Sequence, residues 1–181
     1  GAVHVARTAG VADRIRSMAP DWDIVEVDVV GPPTSVALRG AGWAEIAALL
    51  ASQQAGPAFT VDAPGGGRAT ATVSAEGAIT VRVECGEVLD EVVLRSYCIG
   101  AAHMALGWVT SEGLSVDADG VPHDLTIRSF GIVRAVDTPP IDVEFVPSSS
   151  APVNGSDAVF AAVAAAVWAQ SDWAPRWPTS R

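Results

Sequence analysis

Few side chains in this sequence could do chemistry. His4, His103 and His123 have no second His or Cys three or four residues away, the spacing at which two ligands reach one metal ion. A metal site is therefore not expected, and His103, set among Ala101, Ala102, Met104 and Ala105, reads as a satisfied core or interface histidine rather than a proton carrier. Gly155-Ser156-Asp157 lacks the glycine that a nucleophile elbow places after its serine. It reads instead as a helix start, with Asn154 or Ser156 as cap and Asp157 in the first turn, where the helix dipole favours a carboxylate. Gly65-Gly66-Gly67 is followed by neither a helix start nor a lysine, so a hairpin connection fits it better than a phosphate loop.

The remaining candidates are two glycines. Gly100 and Gly107 fall inside a proline-free stretch, residues 89–112, where Asp90 and Glu91 place negative charge at the start of a long helix. Each glycine costs roughly 1 kcal/mol relative to Ala in an exposed helix, so something must compensate. Seven residues is close to two full turns, which puts both on one face and opens a shallow groove. Close packing against another element would explain them, and so would a neighbouring backbone or flat ligand entering the groove.

The elements around that helix follow from periodicity. Residues 68–74 and 78–84 alternate small or β-branched with polar side chains around the turn Ala75-Glu76-Gly77, which predicts an antiparallel hairpin. Residues 141–146 alternate as a further strand, and residues 154–168 form an Ala-rich helix. Ahead of these, residues 3–18 place Val11, Ile15 and Met18 opposite Arg7, Asp13 and Arg14, which predicts one amphipathic helix ended by Pro20. Residues 22–30 read as a half-buried strand stopped by Gly31-Pro32-Pro33, and residues 43–54 as a second amphipathic helix stopped by Gly56-Pro57. The tail after Gln170 has no period, yet it carries Trp173 and Trp177, whose aromatic area should pack back on the body or on a partner chain.

Composition narrows the function classes. The chain has 181 residues, 49% of them hydrophobic, enough for a buried core. Eleven Lys and Arg against 21 Asp and Glu leave a net charge of −10, a field that repels nucleic acid and anionic membrane surfaces. No apolar run is expected to span a membrane, no signal-peptide pattern is visible, and two cysteines, Cys85 and Cys98, suggest no disulfide framework. A reducing, cytoplasmic setting is the expectation. Residue 1 is Gly, as a tag scar ahead of a protein piece would leave.

At residues 84–91, E-C-G-E-V-L-D-E resembles the D-V-G-x-x-L-N-P run of the molybdenum-cofactor-binding subunit of the xanthine dehydrogenase, aldehyde oxidase and carbon monoxide dehydrogenase family. There the run leads without gaps into G-Q-x-x-G-x-x-x-Q-G-x-G and a glutamate; here the same register holds Ser96-Tyr97, Gly100, Met104-Ala105, Gly107 and Glu112. The spacing survives and the two glutamines do not. Residues 114–120 resemble the hairpin that follows, turning at Asp119-Gly120. Residues 127–140 (I-R-S-F-G-I-V-R-A-V-D-T-P-P) resemble L-M-D-Y-K-I-P-T-A-x-D-x-P-P, and residues 154–168 resemble the segment with G-V-G-E-P-P and its Ala-rich helix. Residues 1–64 overlay the family only loosely.

The resemblance implies a single α+β domain over residues 1–181, with 1–64 as a helix–strand–helix lead-in and 65–181 as the cofactor-domain-like region. A twisted, mostly antiparallel sheet with three or four helices, one long and central, is the expected fold. The implied activity is oxidative hydroxylation of an aldehyde or heterocycle by a molybdenum hydroxylase of which this is a fragment or divergent relative. Molybdopterin is the implied cofactor. Gly100, Gly107, Tyr97, Met104 and Ser156 would bind it, and Asp157 would stand where the family has its general-base glutamate, one methylene shorter. The implied partners are a missing upstream domain, other subunits or a second copy, with no nucleic acid and no membrane. The alternative is a non-catalytic binding or assembly module that kept the fold and lost the chemistry. The first reading predicts an open groove over Gly100 and Gly107; the second predicts a groove filled by the domain's own side chains.

Overall fold

The computed structural model describes residues 2–7, 10–28, 42–123 and 126–180. Its contacts divide the chain into two compact units, Gly1–Leu50 and Ala51–Arg181.

In the first unit, strand β1 (Ala2–Ala6) pairs in parallel with β2 (Asp23–Val27), from Ala2 opposite Asp23 to Ala6 opposite Val27, and helix α1 (Val11–Met18) connects them. The single helix expected over residues 3–18 is therefore a strand, a turn and a shorter helix. Val3 and Val5 alternate with the exposed Ala2 and His4, a pattern that favours extended backbone, and Gly10, at φ 77°, breaks the chain before α1. Ala12 and Ile15 form the buried side of α1, and Asp13 pairs with Arg16 outside. Helix α2 (Gly42–Ala51) buries Ile46 and Ala47 and exposes Glu45, as its period predicts. The expected stop at Gly31-Pro32-Pro33 lies outside the described residues.

The second unit is a four-stranded sheet in the order β3-β4-β5-β6, formed by β3 (Phe59–Asp62), β4 (Arg68–Val73), β5 (Ile79–Glu84) and β6 (Ile141–Phe145). The first three run antiparallel and β6 joins parallel to β5, so the sheet is mostly antiparallel. The hairpin of residues 68–84 is present with the expected turn; Gly77 takes φ 87° there, a conformation that favours glycine. Gly65-Gly66-Gly67 connects β3 to β4, with the Gly67 carbonyl accepting from the Ala63 N–H at 2.7 Å. Strand β3 has no counterpart in the sequence reading, because four residues with one charge show too little alternation.

Ile79, Val81 and Val83 of β5 point to the core while Thr80, Arg82 and Glu84 face out. On that core lies α5 (Ser156–Ala169), buried along nearly its whole length from Ala158 to Val167. A helix apolar all round must be enclosed, and its alanines let β3 and β4 and the long helix approach it closely. That long helix, α3 (Glu91–Thr110), opens at Asp90, whose carboxylate accepts from the Val93 N–H at 3.0 Å. Its buried stripe, Cys98, Ala101, Ala102, Ala105 and Val109, packs against α5. Arg95 ties it to β6 by donating to the Val143 carbonyl and to Glu91, with its guanidinium 5.1 Å from the Phe145 ring centre. Contrary to the sequence expectation, α3 is long and apolar enough to cross a membrane by length and composition; here its apolar stripe is taken up by α5.

Residues 114–122 form only a rudimentary hairpin with one bridge, Val116 to Pro122. Its turn is held by the Asp117 carboxylate, which accepts from the N–H groups of Asp119 and Val121 at 3.0 and 2.9 Å, and which lies 3.0 Å from His123. A one-turn helix, α4 (Ile127–Phe130), and a 3-10 turn (Ala135–Asp137) lead into β6. The tail folds back as its tryptophans require. Trp173 stands edge-on to Phe59 and Trp168, and Trp177 lies 4.8 Å from Trp108 and 5.3 Å from Trp168.

Candidate functional site

Tyr97, Gly100, Met104 and Gly107 recur at three- and four-residue steps, so α3 carries them in one row on the side away from the stripe that meets α5; Gly107, at the end of the row, is buried. Tyr97 is 66% and Met104 55% exposed, and Val92 and Val93 extend this apolar surface toward the start of the helix. Nothing lies within 4 Å of where a Cβ on Gly100 would stand. The groove is open there.

At Gly107 it is closed. Past the end of α3, Glu112 donates its N–H to the Gly107 carbonyl at 2.8 Å and folds its side chain back over the glycine, with Cδ 2.9 Å from a Cβ position that only glycine leaves vacant. Burial pushes the Glu112 carboxyl above its ordinary pKa, and the nearby His103 opposes that shift. His103 is half-buried, with Nε2 3.0 Å from the Val133 carbonyl, which fits a satisfied histidine. The register placed Glu112 in the motif; its return onto Gly107 is a tertiary contact that no spacing rule signals.

The other half of the expected site lies at the start of α5. Asn154, two residues before the first residue of α5, supplies the capping oxygen: its Oδ1 accepts from the Ser156 N–H at 3.0 Å and from Ser156 Oγ at 2.8 Å. Gly155 is buried against Val83 and Cys85, where a Cβ would stand 2.8 Å from Val83 Cγ1. Asp157 is exposed in the first helical turn. Among the described residues no hydrogen bond or ion pair joins Ser156 or Asp157 to Tyr97, Met104 or Glu112. The fold leaves the two groups on separate helices without linking them.

Chemically, the α3 row offers one phenol hydroxyl, one thioether and an apolar surface, bounded by a carboxylate at Gly107. Such a surface can receive another apolar surface. Among the described residues no three His, Cys, Asp or Glu side chains are grouped to hold a metal ion. Cys98, in the buried stripe of α3, and Cys85, just past β5, are both buried, and desolvation raises the Cys98 thiol pKa to about 11.

No protein-family model matches the chain. Over 87 residues, 48% of its length, it is 31% identical to a membrane-bound aldehyde dehydrogenase [pyrroloquinoline-quinone] of Gluconacetobacter polyoxogenes, and this match spans 11% of that protein. Similar solved structures include quinoline 2-oxidoreductase from Pseudomonas putida 86, at 17% identity and TM-score 0.45 over 64% of this chain and 16% of that one. They also include the reconstituted CO dehydrogenase of Oligotropha carboxidovorans, at 14% identity and TM-score 0.45 over 92% of this chain and 31% of that one. A Cu,Mo-CO dehydrogenase in its carbon monoxide reduced state follows at 13% identity and TM-score 0.44, over 92% and 33%. The chain thus spans a third or less of each of these proteins.

The candidate residues do not by themselves fit a molybdenum–pterin group. The resembling motif needs amide donors where this chain has Tyr97 and Met104, and a thioether donates nothing. Ser156 Oγ already donates to Asn154, and Glu112 covers Gly107 with a carboxyl group, which would offer an anionic phosphate no favourable charge.

Proposed function

We propose that this chain is a portion of a larger oxidoreductase of the molybdenum hydroxylase kind, and that it contributes a docking face rather than a finished catalytic site. The observation that carries this is the exposed side of α3: Tyr97 and Met104 stand in solvent on either side of Gly100, where an added Cβ would meet no neighbouring element within 4 Å. An apolar helix face with a glycine at its centre suits the close approach of another backbone. In this reading, cofactor-binding amides and the general base come from residues outside this sequence, and the substrate is an aldehyde or heterocycle. The work this chain's own residues do is to seat that second wall against α3 and exclude water from the seam.

The assembly-module alternative draws on Glu112, which fills the groove at Gly107 as a domain without a ligand there would. One experiment separates the two: expressing the longest natural polypeptide that contains this sequence and introducing Gly100→Trp. Loss of bound molybdenum and pterin together with detachment of the remaining domains in limited proteolysis supports the oxidoreductase reading. Detachment from a protein that held no molybdenum supports the module.

A further inference from the structure

A cavity of about 1140 Å³ opens in the second unit, bounded by the C-terminal ends of α3 and α5, the β4–β5 hairpin and residues 127–139. It is slightly larger than the range of about 300–1,000 Å³ usual for small-molecule sites. Leu106, Ile132 and Val133 give it aliphatic walls, and its charged lining residues are Arg128, Arg134 and Asp137. Arg134 is already engaged, donating from Nε and Nη2 to the two oxygens of Asp137 at 2.5 and 3.0 Å. Arg128 has no carboxylate within ion-pair distance among the described residues. In a chain of net charge −10, the cavity's charged lining thus holds, among the described residues, one positive charge more than negative.

A guanidinium presents a planar pair of N–H donors that matches a carboxylate in both distance and shape, and beside an apolar wall that pairing loses less to water than on an open surface. We propose that this cavity binds an amphipathic organic carboxylate, with its apolar body against Leu106, Ile132 and Val133 and its carboxylate on Arg128. The site is separate from the α3 docking face and stands or falls without it.

The test titrates the 181-residue chain with decanoate and, in parallel, with 1-decanol, followed by amide chemical shifts. Saturable one-to-one decanoate binding is expected, with shifts centred on the cavity residues and with decanol at least tenfold weaker. Arg128→Gln should weaken decanoate at least tenfold and leave decanol unchanged, while Arg134→Lys, which keeps a cation beside Asp137, should have a much smaller effect. Arg128 is exposed, so its replacement leaves the fold intact, which circular dichroism checks. Equal affinity for decanoate and decanol, an unchanged decanoate affinity in Arg128→Gln, or no saturable binding would each overturn the proposal.

Discussion

Glu112 hydrogen-bonds through its backbone to the carbonyl of Gly107 and covers that same glycine with its side chain, so one residue both ends the long helix and closes half of its groove. Seven residues earlier, Gly100 has the same helical phase and no cover. The two glycines therefore answer differently to substitution.

Gly100→Ala should stabilise the isolated chain by about 0.5–1 kcal/mol, because a methyl group meets nothing within 4 Å and the helix gains Ala's propensity. Gly107→Ala gains the same propensity but must push the Glu112 side chain off the helix, so its net gain should be smaller. Urea midpoints of the two variants against the parent give both values; a larger gain at Gly107 would show that Glu112 does not rest there.

The raised pKa of Glu112 has a definite sign in the pH profile. A carboxyl whose folded pKa exceeds its unfolded one favours the fold while protonated, and that contribution fades as pH rises from about 4.5 through the folded value. Glu112→Gln should lose this dependence, becoming more stable relative to the parent as pH climbs from 4.5 toward 7. Asp117 runs the other way: held low first by the Val121 N–H and then by His123, it supports the fold above its ordinary pKa of 3.8 and loses that support as pH falls. Thermal melts of Glu112→Gln and of Asp117→Asn against the parent between pH 3 and 7 should show the two opposite slopes.

Trp177 lies edge-on to Trp108 and Trp168, and its indole nitrogen is buried with no hydrogen-bond partner. Trp177→Ala should cost about 2–3 kcal/mol, from lost burial of a half-enclosed ring and two aromatic contacts. Trp177→Phe keeps a ring and removes the unsatisfied N–H, so it should cost under about 1 kcal/mol. Denaturant unfolding of the pair checks the order, and equal losses would mean the tail contributes through something other than its ring.

Cys98 is fully buried and its thiol pKa is about 11; Cys85 is buried beside it with its pKa also raised by desolvation. The thiolate is the reactive form, so neither should be alkylated by iodoacetamide at pH 8 in the folded chain, and both should react in denaturant. Mass spectrometry before and after unfolding reads this directly.

Much of the second unit was legible in the sequence because its signals are local. The alternation of residues 68–84, the Asp90 start of α3 and the alanine run of α5 each belong to one element, and each element formed where its pattern placed it. Trp173 and Trp177 were legible for a cruder reason, that so much aromatic area at a chain end needs cover. Residues 3–18 misled because Val11, Ile15 and Met18 fit a helix while Val3 and Val5 fit a strand, and only pairing with β2 decides between them. The site was less legible still. Motif register located Tyr97, Gly100, Met104 and Gly107 on one face, but whether that face is open depends on Glu112, which reaches it only after the chain has turned.

Molybdenum and released pterin, quantified per chain in two preparations made under cofactor-retaining conditions, test the central claim most directly. One is the 181-residue chain alone and the other is the longest natural polypeptide that contains it, with and without Met104→Glu on the α3 face. The account predicts no molybdenum in the chain alone, stoichiometric molybdenum in the longer form, and its loss when Met104 carries a charge. Stoichiometric molybdenum in the isolated chain, none in the longer form, or an unaffected Met104→Glu variant would contradict it.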